Sequence, residues 1–163
     1  MFEDVVFEIG RPEPEELLAF YERQKHPTTQ RLAKLGRMLD GTFCMVTARR
    51  HGELIGFARG VTDGLVGRLA ECKLDPAYQG PACVTRTDGR IEHDAAGIAG
   101  RMAGMVIEQM RKAGVERIDA LAYGTEVDFC EELGFRRMRG VVAMELPAGA
   151  MPASATASTA AAV

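Results

Sequence analysis

The stretch most able to do chemistry runs from Tyr78 to Met102, YQGPACVTRTDGRIEHDAAGIAGRM. Its two ends read as one anion-binding turn pulled apart: YQG closes a strand, and AAGIAGRM opens a helix. A helix start offers unpaired N–H groups and the positive end of a dipole, so a phosphate or diphosphate fits there. Gly97 lets a backbone approach an anion, and Ala99 is small enough to do the same. Asp94 complicates this. Aspartate is a strong N-cap, and its carboxylate would take the amides a phosphate wants. Two arrangements are open. Either Asp94 caps an ordinary helix, or it swings away and residues 97–101 form the cradle, with Arg86, Arg90 and Arg101 supplying positive charge.

Between the two ends lies PACVTRTDGRIEH, residues 81–93. TDGR is a turn, so ACVT and RIEH are expected to pair as a small hairpin. Such an insertion at the mouth of an anion site is a lid, a ligand contact, a block or a solvated loop. Other titratable candidates are Glu71 in VGRLAECKL, Tyr123 at the end of VERIDALAY, and Cys130 in TEVDFCEEL. Glu71 reads as a proton acceptor or as the cross-strand partner of an arginine. Its face is open, because a bulge in the strand would turn it over. Cys130 shares a helix side with Val127, Phe129 and Leu133, where a buried thiol is also expected. Of the histidines, His93 beside the helix start is the one to substitute; His26 and His51 read as solvated loop residues.

The elements that position these residues follow from periodicity. DVVFEI alternates as a strand. PEPEELLAFYERQ and TTQRLAKLGRML carry apolar residues at helical spacing, the second capped by Thr28 or Thr29. TFCMVTARRHGELIGFARGV is a hairpin turning at Gly52, and VGRLAECKL is a third strand ended by Pro76. A helix is expected from about Asp94 to Ala113, with Ile98, Met102, Met105, Val106 and Met110 as its stripe. VERIDALAY is a strand, TEVDFCEEL a short helix with Thr125 and Asp128 in capping-box spacing, and FRRMRGVVAMEL a last strand or strand pair. The order β-α-α-β-β-β-α-β-α-β predicts an α/β (α+β) fold. Its mixed, mostly antiparallel sheet has six or seven strands, with helices on both faces and one parallel crossover.

Length favours one domain, residues 1–146, and the Ala/Ser/Pro-rich 147–163 is expected to be a disordered tail. The net charge of −3 and 26% charged residues argue against an electrostatic nucleic-acid binder. There is no membrane-length apolar run and no signal-peptide pattern, so a cytoplasmic location with reduced cysteines is expected. The spacing of Cys72, Cys83 and His93 fits no closed zinc site, and no metal is expected.

Three motifs, in this order and spacing, resemble the GNAT superfamily of N-acyltransferases: CKLDPAYQG as the fourth strand and its Pro-containing turn, DAAGIAGRM as the diphosphate loop, and DFCEELGF as the segment after the fifth strand. The resemblance spans residues 4–146. It implies acetyl-CoA or another acyl-CoA as cofactor, with Leu74 offering a backbone amide to the acyl group and Gly97, Ile98, Ala99, Gly100 and Arg101 binding the diphosphate. It implies that strands 66–74 and 116–123 splay apart around the pantetheine. A small-molecule amine or a protein amine is then the acceptor, and Glu71 is the candidate base, directly or through water. Cys130 stands where the family often has a thiolate-protonating tyrosine; Tyr123 is a substitute for that role, or a strand-end aromatic. Arg68 stands where a catalytic glutamate is common. The alternative is a divergent GNAT-fold ligand-sensing or partner-binding module, or a different CoA-dependent reaction in the same cleft. A homodimer is a further implication, since such sheets often pair through end strands.

Overall fold

The computed structural model describes residues 3–26, 32–83 and 88–153. The chain runs β1 (Val5–Ile9), α1 (Pro14–Arg23), α2 (Leu32–Asp40), β2 (Cys44–Arg50), β3 (Glu53–Thr62), β4 (Val66–Leu74), a 3-10 turn (Pro76–Tyr78), α3 (Ile98–Lys112), β5 (Arg117–Ala120) and α4 (Glu126–Glu132). The sheet order is β1-β2-β3-β4-β5. All neighbours are antiparallel except β4 and β5, which are parallel. This is the expected mixed α/β sheet.

Each face of the sheet carries its own apolar cluster. Leu17, Phe20 and Tyr21 of α1 and Leu35 and Leu39 of α2 cover Met45, Leu54 and Phe57 on one face. Ile98, Met102, Val106 and Met110 of α3 cover Val46, Ala58, Leu69, Cys72 and Leu74 on the other. The α3 stripe is therefore the one its 3.6-residue period indicates. Glycines let this helix lie close to the sheet. A Cβ on Gly67 would stand 2.9 Å from the Met110 sulfur.

Four expectations change. The helix begins at Ile98 rather than near Asp94, because Gly97 sits in the left-handed region (φ 73°) and serves as its N-cap. Strand β5 is four residues long, and residues 121–123 continue without pairing. Residues 135–146 form no strand, so the described sheet has five strands rather than six or seven. Phe135 packs at the edge of the α3-side cluster, but the apolar side chains after it are exposed, Val142 by 80% and Met144 by 92%. Thr125 makes no capping bond to its own helix, its hydroxyl donating instead to the Ile91 carbonyl at 3.1 Å. The Thr28 or Thr29 cap, Arg86, and part of the ACVT–RIEH hairpin lie outside the described residues. Arg90 of that expected hairpin bridges to Lys73 of β4.

Candidate functional site

Strand β4 decides where the site lies. Gly67 and Leu69 face α3, and simple alternation would send Glu71 into the same core. A register shift prevents this. Arg59 stands opposite Glu71 and Gly60 opposite Leu69, so Ala70 is the extra residue of a β-bulge. The bulge reverses the phase. Beyond it Cys72 and Leu74 face α3, while Glu71 and Lys73 turn toward α1 and α2.

There Glu71 lines a cavity of about 360 Å³ with Tyr21, His26, Lys73, Arg90 and Tyr123. The Arg59 Nε donates to Glu71 Oε1 at 2.7 Å, and the Tyr21 hydroxyl donates to Oε2 at 2.9 Å. Burial first, then the adjacent Glu71 charge, pushes the Tyr21 phenol well above its ordinary value, so it remains a donor. His26 lies against the Tyr21 ring, 4.7 Å between centroids, and its Nδ1 is buried without a partner. Burial, then the Lys73 charge, holds this imidazole below its usual value, which favours the neutral form. Glu126 of α4 closes the far wall. Burial raises its carboxyl, the Tyr123 backbone amide and then the Arg90 guanidinium opposing that rise. Arg90 also lies over the Tyr123 ring, 4.8 Å from its centroid.

The structure thus brings Glu71 and Tyr123 to one cavity. Cys130 does not reach it. It borders a separate groove formed by β5, α4 and residues 134–144, and packs at the edge of the α3-side cluster. Burial, then Glu126, pushes its thiol up to about 11, against a role as a ready nucleophile. Arg68 is exposed and paired with Asp119 of β5 at 2.7 Å.

The sheet opens beyond Leu69, and the chain itself fills the opening. Pairing of β4 with β5 stops at Leu69 and Ala120, while β4 runs on to Leu74. In the opening that follows, the Leu74 amide donates to the Gly89 carbonyl at 2.9 Å. The Leu74 carbonyl accepts from the Gln79 side chain at 2.8 Å. At the α3 start, the Asp94 carboxylate accepts from the Ala99 and Gly100 amides at 2.9 and 2.8 Å. Of the two roles open to Asp94, the structure therefore realises capping. Ile98 and Ala99 have buried side chains. The Arg101 guanidinium lies 4.3 Å from the Phe7 ring centroid, toward the β1 edge. The Arg101 guanidinium is thus placed over Phe7, and Arg90 is engaged with Glu126 and Tyr123. In this arrangement Leu74, Ala99 and Gly100 do not fit an acyl-CoA, because their amides are spent on the chain itself.

Sequence reasoning missed Tyr21, Arg59, Lys73, Gln79 and Glu126. Tyr21 had the spacing of a core residue and is one, with only its hydroxyl reaching the site. Gln79 carried a readable signal: a glutamine in a tight turn between a strand and an insertion needs its amide satisfied somewhere. Among the described residues, no group of three or more His, Cys, Asp or Glu is placed to hold a metal, and no helix is long and apolar enough to cross a membrane. None of the four cysteines forms a disulfide among the described residues.

No family model and no curated protein matches the chain. Solved structures do. A probable acetyltransferase from methicillin-resistant Staphylococcus aureus aligns at TM-score 0.69 and 15% identity, over 88% of this chain and 98% of that one. A GNAT-family acetyltransferase from Streptococcus pneumoniae aligns at 0.64 and 15%, over 86% and 98%. Aminoglycoside N-acetyltransferase AAC(6')-Iy, solved with CoA, aligns at 0.61 and 16%, over 87% and 94%. At these identities the likeness is one of fold, and the fold is that of the GNAT acetyltransferases.

Proposed function

We propose that this GNAT-fold chain acylates an amine, taking an acetyl or other short acyl group from acyl-CoA. The acceptor is a small-molecule amine or a protein amine entering the cavity at Glu71. The observation that carries this reading is the juxtaposition on β4: the strand loses its parallel neighbour after Leu69, and the bulge at Ala70 turns Glu71 into a polar cavity beside that opening. An ammonium must lose a proton before its nitrogen attacks a carbonyl. Glu71, held by Arg59 and the Tyr21 hydroxyl, is the acceptor for that proton, directly or through a water. The Tyr123 phenol, at the cavity wall, is the candidate donor to a departing group. The test is release of free thiol from acetyl-CoA with a panel of primary amines. Glu71→Gln is expected to lower turnover by 10²-fold or more, and unchanged turnover refutes the assignment.

A second reading rests on the filled donor groove. With the Leu74, Ala99 and Gly100 amides used internally, the chain is a GNAT-fold module that binds a small ligand at the Glu71 cavity without a thioester. A thermal-shift series with free CoA and acetyl-CoA separates the two, since a ligand of the native state raises its melting temperature by mass action. A shift supports transfer; none, together with a shift from an amine alone, supports the module.

A further inference from the structure

Residues 88–94 make contacts of two kinds that a diphosphate-bearing thioester would need from this fold. They lend a backbone to the free end of β4, with Gly89 accepting from Leu74 and Arg90 bridging to Lys73. They also place a carboxylate on the amides that open α3. The segment is anchored. Ile91 is fully buried in the α3-side cluster, and its carbonyl takes the Thr125 hydroxyl. The Lys73 ammonium donates to the Asp88 carbonyl at 3.0 Å.

Gln79 ties this together. Its side chain is fully buried. Its Nε2 donates to the Leu74 and Arg90 carbonyls at 2.8 and 3.1 Å. Its Oε1 accepts from the Glu92 and His93 amides at 2.8 and 3.1 Å. A glutamine amide has two donor hydrogens and two acceptor lone pairs, and all four are used to hold one end of β4 against one segment. The base of the excursion is also closed: the Ala95 amide donates to the Gln79 carbonyl at 3.1 Å.

We propose that residues 88–94 are an internal competitor for the donor groove, latched by Gln79 and Asp94, so that CoA binds only when the segment leaves. This rests on the transferase reading above, and its test is chosen to separate the two. Free CoA is titrated calorimetrically into the full chain and into the variants Gln79→Ala and Asp94→Ala, each first shown to unfold cooperatively. The second variant guards against a folding defect in the first, since Asp94 is only half-buried and Gln79 is fully buried. Weakening the latch is expected to tighten CoA at least about tenfold in each variant, because the competing segment loses contacts while the ligand keeps its own. Unchanged affinity in both folded variants overturns the inference while leaving the transferase reading intact where the unaltered chain binds CoA. Absence of CoA binding in the unaltered chain and both variants overturns both.

Discussion

Asp94→Ala should destabilise the chain by an amount the geometry sets. The carboxylate accepts two backbone N–H groups at 2.9 and 2.8 Å at the start of a fifteen-residue helix. Losing a side chain that accepts from the first amides of a helix, as an N-cap side chain does, costs about 0.5–2 kcal/mol, and a negative charge at a helix start contributes about 0.3–1 kcal/mol. The two overlap, because the same charge makes both contacts, so about 1.5 kcal/mol is expected. Each kcal/mol moves the melting temperature of a chain of this size by about 2–4 °C, which gives a fall of about 3–6 °C. Urea denaturation gives the free energy and thermal melting the temperature. Inorganic phosphate should restore part of the loss in Asp94→Ala and stabilise the unaltered chain less, since the vacated amides are then open to an anion. A loss below about 0.3 kcal/mol, or equal stabilisation of both proteins by phosphate, would refute the claim that Asp94 occupies this position.

Gly56→Ala should cost about 1–3 kcal/mol by urea denaturation, because its Cβ would stand 2.7 Å from the Lys73 carbonyl oxygen and 3.0 Å from Met102 Cε; an unaltered midpoint counts against the β3–β4 register. Glu126 has a carboxyl raised by burial, so its folded form holds the proton more tightly than its unfolded form. That contribution is fully present below the unfolded value of about 4.3 and is lost as pH rises through the folded value. Glu126→Gln should therefore gain in melting temperature relative to the unaltered chain from pH 4 to pH 7, and a difference independent of pH contradicts the burial. Cys130, with its thiol pushed up to about 11, should be alkylated by iodoacetamide at pH 8 about a hundredfold or more slowly than an unstructured cysteine. Mass spectrometry of the digested protein reads this directly, and labelling at the unstructured rate would contradict it.

The architecture was legible because its signals are local. The α3 stripe from Ile98 to Met110 and the Gly52 turn each announce one element, and their order leaves few ways to assemble a sheet. What was not legible depends on partners distant in the chain. The face of Glu71 turns on a single bulged residue, Ala70, whose position is set by pairing with β3 and not by anything in VGRLAECKL. The segment 135–146 has the alternation of a strand, but a strand exists only where an edge receives it, and among the described residues none does. The insertion was visible as an insertion, and Asp94 as a rival to an anion. That Gly89 would take the Leu74 amide and Gln79 would fasten Leu74 to Arg90, Glu92 and His93 was not, since those contacts join residues up to fifteen apart across a loop with no periodicity.

The central claim is that the donor groove of this fold is present here and held shut by the chain's own atoms. Amide hydrogen exchange in the free protein, resolved by residue, tests it most directly. The account predicts that the Leu74, Ala99 and Gly100 amides are protected in the absence of any ligand, because each already donates to Gly89 or Asp94. Exchange of these three at the rates of an unstructured peptide, with Val46 and Phe57 still protected, would contradict it.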